Sequence, residues 1–586
     1  MTGRFPFLTY IIMMEKAAAP HLFAGLPWKR LALTGALLIG AVLYQIGVLD
    51  KPDWTIQLLS QGYPESSLTC PQVSPLFPSS HARLDAQLDE LYHTDAFKLN
   101  AYKLLGGAVR IPSESYDDLL PVGQDPRWDV FQDLHDFLES AFPRIHSDLK
   151  VTKVNTYGLV LHWQGSESAL KPILLAAHQD VVPVDWSTVN QWMHPPYSGH
   201  FDGTWIWGRG SGDDKADLIS QLIAVNSLLQ AGFNPRRTIV LAFGIDEEAA
   251  GTEGAGKLAI YLEETYGKDG FALLLDEGEG YGENAADGVI FALPGISEKG
   301  YIDVKIEVLT PGGHSSVPPV HTSIGLLSMI IVEIEKHPHR PKFVRSGAGL
   351  PNAQCAVAYG GEKFLPHVKV LAHRASFDDG ALERFKDELI KTDPFFNVLL
   401  KTTQAVNIIQ GGVKVNALPE LASVIINHRI AEHSSTSAVQ EHLTNLVLPV
   451  AAENNLTVIA FGRNVSAGAA GQVILSDTLY SALEPSPVSP VKDSAPYGLL
   501  SGTIKSTLQS ASRYRASDVA IAPSLGLGNT DTRFYWNLTR HIFRYSHRGD
   551  RDDLYNGLHT VNEGEPSSSF LGVRKLTPPK LFVENL

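Results

Sequence analysis

The chain has 586 residues, 44% of them hydrophobic and 19% charged, with a formal net charge of -15. That length can bury several layers of core and suits two domains, while an acidic balance without a basic stripe argues against a nucleic-acid binder. Two cysteines, Cys70 and Cys355, leave room for one disulfide and for no cysteine-based metal site.

The first thirty residues carry Arg4, Lys16, Lys29 and Arg30 against Glu15. Residues 31–49 then form an uncharged, mostly apolar run, long enough to cross a bilayer core as a helix. The positive-inside rule leaves 1–30 in the cytosol and sends the remainder across the membrane as a signal anchor. A cleaved signal peptide is the alternative, although the run exceeds the usual signal core. Residues 50–83, rich in Pro, Ser and Gly, read as a stalk.

A helical pattern starts near Leu84, and 129–142 is amphipathic. Between Lys171 and Asp276, strand-like runs alternate with helical ones such as 217–231, which predicts an α/β domain with a mainly parallel sheet covered on both faces. From Tyr301 the pattern changes: 301–309 strand, 322–336 helix, 422–430 strand, 437–448 helix, 456–461 strand. Residues 360–406 are an additional segment within it. Cys355 sits in an apolar, strand-like stretch, where burial as a free thiol competes with disulfide formation. Residues 470–510, with Pro485, Pro487 and Pro490, read as a surface excursion.

Chemistry concentrates at the ends of apolar runs. His178-Gln-Asp180 follows 173–177, Gly208-Arg-Gly-Ser-Gly-Asp213-Asp214-Lys215 follows 205–207, Asp246-Glu247-Glu248 lies just beyond 238–243, and Asp276-Glu277-Gly278 follows 271–275. This is how strands deliver side chains to the mouth of an α/β sheet. Imidazole and carboxylate together suit zinc, and a further carboxylate can act as general base. Taken singly the motifs have plainer readings: Asp-Glu-Glu as a solvated helix start, His314 as a turn residue, Arg533 as a surface ion-pair former, and Trp205 and Trp207 as core or rim aromatics. A serine hydrolase is disfavoured, because Gly208-Arg-Gly-Ser-Gly places its serine one position late for a nucleophile elbow.

The ordered series of these motifs, continued by Gly312-Gly-His314-Ser-Ser, Val415-Asn416-Ala-Leu-Pro, Asn529-Thr-Asp-Thr-Arg533 and Leu558-His559-Thr, resembles the co-catalytic zinc peptidases and amidohydrolases. That group includes aminoacylase, bacterial glutamate carboxypeptidase and fungal carboxypeptidase S, the last being the nearest in anchor, stalk and late Leu-His-Thr. The resemblance implies two zinc ions per subunit. His178 would bind one, His559 and Glu248 the other, and Asp213 would bridge them; Asp276 would complete the set, with Glu277 held open. Asp180 would orient His178, Glu247 would be the general base, and the Asp213–Asp214 peptide bond would be cis. His314 would reach the site from a lid, and Asn416 with Arg533 would hold a substrate carboxylate.

The resemblance further implies a zinc-exopeptidase-like catalytic domain in two parts, 84–299 and 463–586, interrupted by a ferredoxin-like α+β lid at 300–462 that serves dimerisation. The expected activity is carboxypeptidase release of a terminal residue from short peptides, with glycine favoured next to it. Hydrolysis or synthesis of N-acyl amino acids is the alternative, and a catalytically dead binding protein with the same fold is the reading from another class. The expected location is the vacuolar lumen, and Asn455, Asn464 and Asn537 stand in sequons available to a lumenal domain.

Overall fold

The computed structural model describes residues 69–284, 288–510, 518–549, 557–568 and 570. The cytosolic tail, the apolar run 31–49, most of the stalk and the sequence after 570 lie outside the described residues. Among the described residues no helix is long and apolar enough to cross a membrane.

Helix α1 (Ala82–His93) stops at Thr94, whose extended backbone breaks it and whose hydroxyl accepts the Phe97 N–H at 3.3 Å to cap α2 (Asp95–Val109). Helix α3 (Val130–Ala141) buries Phe131, Leu134 and Leu138 on one face, and Pro143 opens α4 (Pro143–Asp148) at a position that needs no N–H donor.

The strands that follow are β1 (Lys150–Val154), β2 (Gly158–Trp163), β3 (Ile173–His178), β4 (His200–Phe201) and β5 (Trp205–Trp207). Helix α5 (Lys215–Gln230) is buried along almost its whole length. Next come β6 (Ile239–Gly244), α6 (Ala255–Tyr266), β7 (Leu273–Asp276), β8 (Tyr281–Asn284), β9 (Val289–Ala292), β10 (Gly295–Glu298) and β11 (Gly300–Leu309).

Beyond these lie β12 (Gly313–His314), α7 (Ser323–Lys336), α8 (Gly349–Tyr359), α9 (Pro366–Arg374), α10 (Asp379–Thr392) and α11 (Phe395–Leu399). The chain continues through β13 (Thr403–Gly411), β14 (Ala417–Leu418), β15 (Leu421–Ile430), α12 (Thr436–Glu453), β16 (Thr457–Ala460), β17 (Arg463–Ser466) and β18 (Gln472–Asp477). It closes with α13 (Ala495–Ser510), β19 (Val519–Ile521), β20 (Ser524–Gly526), β21 (Ile542–Arg544) and β22 (Gly564–Pro566).

The large sheet has the order β1-β2-β6-β3-β7-β21-β10-β20. Its centre, β6-β3-β7-β21, is parallel, but β1–β2, β2–β6 and β10–β21 are antiparallel. The expected mainly parallel sheet is therefore corrected to a mixed one. The cause at one edge is local: β1 and β2 are joined by a tight turn in which Asn155 and Thr156 adopt positive φ, and only antiparallel strands can be joined that briefly. The parallel centre ends at His178, Gly244 and Asp276, so the loops after β3, β6 and β7 emerge side by side.

A second sheet, β13-β15-β11-β18-β16-β17, is covered by α7 and α12, whose Leu327, Ile330, Ile334, Val439, Leu443 and Val447 pack with Ile302, Val304, Ile306 and Val424.

Three expectations need correction here. Residues 470–510 are not a surface excursion: β18 pairs with both β11 and β16 and buries Val473 and Leu475, while α13 buries Leu500, Ile504 and Leu508 in the main core. The prolines that suggested a loop occupy only the connection between them. Residues 360–406 do not belong wholly to the second sheet: only β13 joins it, and Val368, Phe385, Leu389 and Leu399 pack into the core of the large sheet. Cys355 is helical, because Leu350, Ala353, Gln354 and Val357 form a buried i, i+3, i+4, i+7 stripe in α8, and it forms a disulfide with Cys70. The end of the expected stalk is docked as well. Gln72 exchanges side-chain hydrogen bonds with the Ile521 backbone at 2.8 and 2.9 Å, and the Leu76 N–H donates to Gly502 O.

Candidate metal centre

His178 ends β3 and is 1% exposed. Its Nδ1 lies 3.2 Å from Asp180 Oδ1, and its Nε2 lies 3.1 Å from Asp213 Oδ1 and 3.6 Å from Glu277 Oε1. The other oxygen of Asp213 lies 3.1 Å from His559 Nε2, which is also 2.9 Å from Glu248 Oε1. Asp213 thus turns one oxygen to each imidazole. His178, Asp213 and Glu248 form one set of groups close enough to share an ion, and His178, Asp214 and Glu277 form a second.

The loop carrying Asp213 is shaped by backbone and by a buried carboxylate. Gly210 has φ 78° and its absent Cβ would meet Val181 Cγ1 at 2.2 Å, so no larger residue fits. The Asp213–Asp214 peptide bond is cis. Glu563, fully buried, accepts hydrogen bonds from the N–H groups of Gly210, Gly212 and Asp213 at 3.0, 3.1 and 3.3 Å, and from Arg209 Nη1 at 2.6 Å. Lys215 opens α5 and donates its ammonium to Ala108 O and Ile111 O; burial pulls its pKa down to about 7.

Asp180 works on both sides of the cluster. Besides facing His178, its two oxygens accept the Glu247 and Glu248 N–H groups at 3.2 and 3.1 Å, and one also accepts the Ser115 hydroxyl at 2.6 Å. Asp246, expected only as part of the acidic motif, closes the same loop by accepting the Glu253 and Gly254 N–H groups.

The electrostatics ask for added positive charge. Burial and then the charge of Glu277 hold Glu247 well above the usual carboxylate range, burial and Asp213 do the same to Glu277, and burial and Asp217 do so to Asp214. Burial also raises Glu248. Asp213 is the exception: burial alone would raise it, but hydrogen bonds from His178 and His559 outweigh that and hold it low. Hydrogen bonds to Asp213 and Glu248 push His559 up to about 10. Crowded acids and imidazoles of this kind, with Asp214 Oδ1 and Asp276 Oδ2 buried without a protein hydrogen bond, form a nitrogen-and-oxygen donor set suited to divalent metal ions.

Asp276 ends β7 and is 4% exposed, with its pKa pushed by burial to about 7. The carboxylate turned toward His178 is that of its neighbour, Glu277. Arg533 lies against the end of the acidic loop: its guanidinium donates to Ala250 O and stands 4.9 Å from the Phe534 ring centre, and its Nε is buried without a hydrogen bond. His314 on β12 and Asn416 in the turn that leads into its partner strand β14 are both exposed. Ser315 N–H donates to Asn416 O, and His314 Nδ1 meets Ser316 Oγ at 2.8 Å. The cluster therefore gathers His178, Asp180, Asp213, Glu247, Glu248, Glu277 and His559, with Arg533 beside its acidic loop, while His314 and Asn416 stand together on another element.

Sequence reasoning passed over Glu563 and Arg209. Glu563 lies four residues after His559, and that spacing was the one available signal. Asp531, buried against Gly244 and Gly251, lay inside a recognised motif without being assigned a part.

The description "Peptidase family M20/M25/M40" matches residues 174–564. Carboxypeptidase S of Saccharomyces cerevisiae is 38% identical over 546 residues, covering 91% of this chain and 92% of that protein. The N-fatty-acyl-amino acid synthase/hydrolase PM20D1 of Mus musculus is 30% identical over 473 residues, covering 78% and 82%. In fold, the chain resembles human carnosine dipeptidase 1 with a TM-score of 0.57 and 15% identity, over 85% of this chain and 98% of that one.

Proposed function

This chain belongs to peptidase family M20/M25/M40, and from that premise we propose that it is a zinc-dependent carboxypeptidase that releases the terminal residue of short peptides, glycine being favoured next to it. The observation that carries the reading is Asp213, with one oxygen toward His178 and the other toward His559. Two divalent ions would be held by His178, Asp213 and Glu277 on one side and by Asp213, Glu248 and His559 on the other, with Glu277 taking the place first expected of Asp276. When bound, such ions polarise a carbonyl and make water acidic enough to be deprotonated near neutral pH.

Glu247 is the base. Its carboxylate takes a proton from the attacking water, the water oxygen bonds to the carbonyl carbon, and the same proton passes to the leaving amine as the C–N bond breaks. Asp180 positions both the imidazole of His178 and the backbone of Glu247. Arg533, with an unsatisfied buried donor, and Asn416 would hold the substrate carboxylate, and His314 would donate to the carbonyl oxygen as charge develops on it.

The same reading makes the chain a single-pass, type II vacuolar glycoprotein with its catalytic body in the lumen. The Cys70–Cys355 disulfide supports an oxidising compartment. A homodimer through the second sheet is supported by its edge strand β13, where Ile408 and Ile409 are 48% and 59% exposed. A second reading, hydrolysis or synthesis of N-acyl amino acids, is favoured by the likeness to the N-fatty-acyl-amino acid synthase/hydrolase PM20D1. The test is leucine release by the full-length protein from amino-blocked Gly-Leu, with and without a chelator. Chelator-sensitive release supports the proposal, and release that ignores the chelator rejects it.

A further inference from the structure

Glu298 closes β10 and is 2% exposed, at the point where the chain leaves the large sheet for β11 of the second. A carboxylate buried there is stable only with donors around it, and three are present. Arg544 Nη2 and the Thr532 hydroxyl donate to Glu298 Oε2 at 2.8 and 2.9 Å, and the Thr530 hydroxyl donates to Oε1 at 2.9 Å. A hydroxyl that donates keeps its lone pairs free to accept. Thr532 Oγ1 accepts Nε and Nη2 of Arg544 at 3.1 and 2.7 Å, and Thr530 Oγ1 accepts the Thr532 N–H at 3.3 Å.

This group holds a single helical turn, Asp531–Phe534. Both charged side chains of the turn meet the acidic loop. Asp531, 4% exposed, packs so closely that a Cβ on Gly244 or Gly251 would meet its carboxylate at 2.5 or 2.8 Å, and Arg533 donates to Ala250 O. Asn529, just before the turn, donates to Lys299 O at 2.6 Å and accepts from Arg429 Nη1 of β15 at 3.2 Å. Arg544 is also the register partner of Asp276 across β21 and β7. Glu298 therefore joins the turn that carries Arg533 to the strand ends beneath the metal cluster.

We propose that Glu298 is a positioning residue: acting through Thr530 and Thr532, it sets where the Arg533 guanidinium stands relative to the metal cluster, and so how tightly a terminal carboxylate is held. The proposal rests on reading Arg533 as the partner of that carboxylate, and not on which bond is cut.

Glu298→Gln leaves the Arg544 charge buried against a neutral amide and lowers stability, so milder variants decide the matter. Thr530→Ala removes one donor to Glu298, Thr530→Ser keeps it, and Thr530→Ala is also combined with Arg533→Ala in a double-mutant cycle. Binding of amino-blocked Gly-Leu is measured by calorimetry on metal-stripped full-length protein, and KM and kcat on metal-loaded protein. Thr530→Ala should weaken binding about fivefold, the effect of one lost hydrogen bond, and raise KM similarly with kcat nearly kept. Thr530→Ser should bind as the wild type does. With Arg533→Ala already present, Thr530→Ala should change nothing further.

Thr530→Ala that weakens binding equally with and without Arg533, or in neither background, overturns the positioning role, as does binding that Arg533→Ala itself leaves unchanged. The expected cycle in a protein that, loaded with metal, releases no leucine upholds the positioning role and rejects the hydrolytic reading instead.

Discussion

Glu563 accepts a hydrogen bond from Arg209 at 2.6 Å, in a pair whose side chains are 0% and 6% exposed. The same carboxylate gathers three backbone N–H groups leading to Asp213, and it lies four residues beyond His559. One buried side chain thus ties together the two loops that carry Asp213 and His559.

Glu563→Gln replaces a charged acceptor facing four donors with an amide that has only one oxygen to offer. Metal affinity should fall about 10- to 100-fold, the range seen when a residue behind a ligand is changed, with a matching loss of rate at limiting metal and partial rescue by excess metal. Metal titration of the purified variant checks this. Wild-type affinity together with wild-type rate would show that the clamp has no part in positioning Asp213.

Glu247→Gln removes the proposed base and keeps the side chain's size. The metal content should stay at the wild-type level while kcat falls about 10²- to 10⁴-fold. Loss of metal along with activity would place Glu247 among the ligands and leave the proton transfer to another group.

Arg533→Ala removes the guanidinium beside the acidic loop. KM for blocked Gly-Leu should rise at least tenfold, while the poorer turnover of the corresponding amide, which lacks the carboxylate, should change little. An equal effect on both would assign Arg533 to holding the Ala250 loop rather than to the substrate.

His135 sets a pH dependence away from the cluster. It is 4% exposed, its Nε2–H faces Tyr157 O at 3.1 Å and Gln179 Oε1 at 3.0 Å, and burial holds its pKa at about 4. Unfolded, the imidazole titrates near 6.5, so between those values the unfolded chain binds the extra proton. Its contribution is fully present above pH 6.5 and is lost as the pH falls toward 4, by on the order of 3 kcal/mol.

Asp246, raised by burial to about 6, pulls the other way, favouring the folded state as pH falls, so the difference from His135→Gln is the quantity to read. Denaturant unfolding at pH 7 and pH 4 should show the wild type losing more stability than the variant. Parallel curves would contradict the burial argument.

The gathering of these side chains into one cluster was legible because each motif sits at the end of an apolar run, and a parallel sheet brings such ends together. The choice between Asp276 and Glu277 was not legible, because neighbouring residues leave a strand on opposite faces and only the way the chain turns after β7 decides which one meets His178. The fold was misread where tertiary contacts overrule composition. Strand β18 looked like a loop because of the prolines that follow it, yet its Val473 and Leu475 complete the second sheet. Helix α8 looked strand-like because Ala, Cys and Val succeed one another, and its helical stripe includes Gln354, which bonds to Ala372 O and Ser376 Oγ rather than to solvent. Glu563 had no sequence signature beyond its distance from His559.

The central claim is that Asp213 serves two metal sites at once. The most direct measurement is the metal-to-protein ratio, by elemental analysis after zinc loading and extensive dialysis, of the full-length wild type and Asp213→Asn, with unfolding monitored to show that the variant is folded. The account predicts about two zinc ions per chain in the wild type and loss of both in the folded variant. A folded variant that keeps two ions would contradict it.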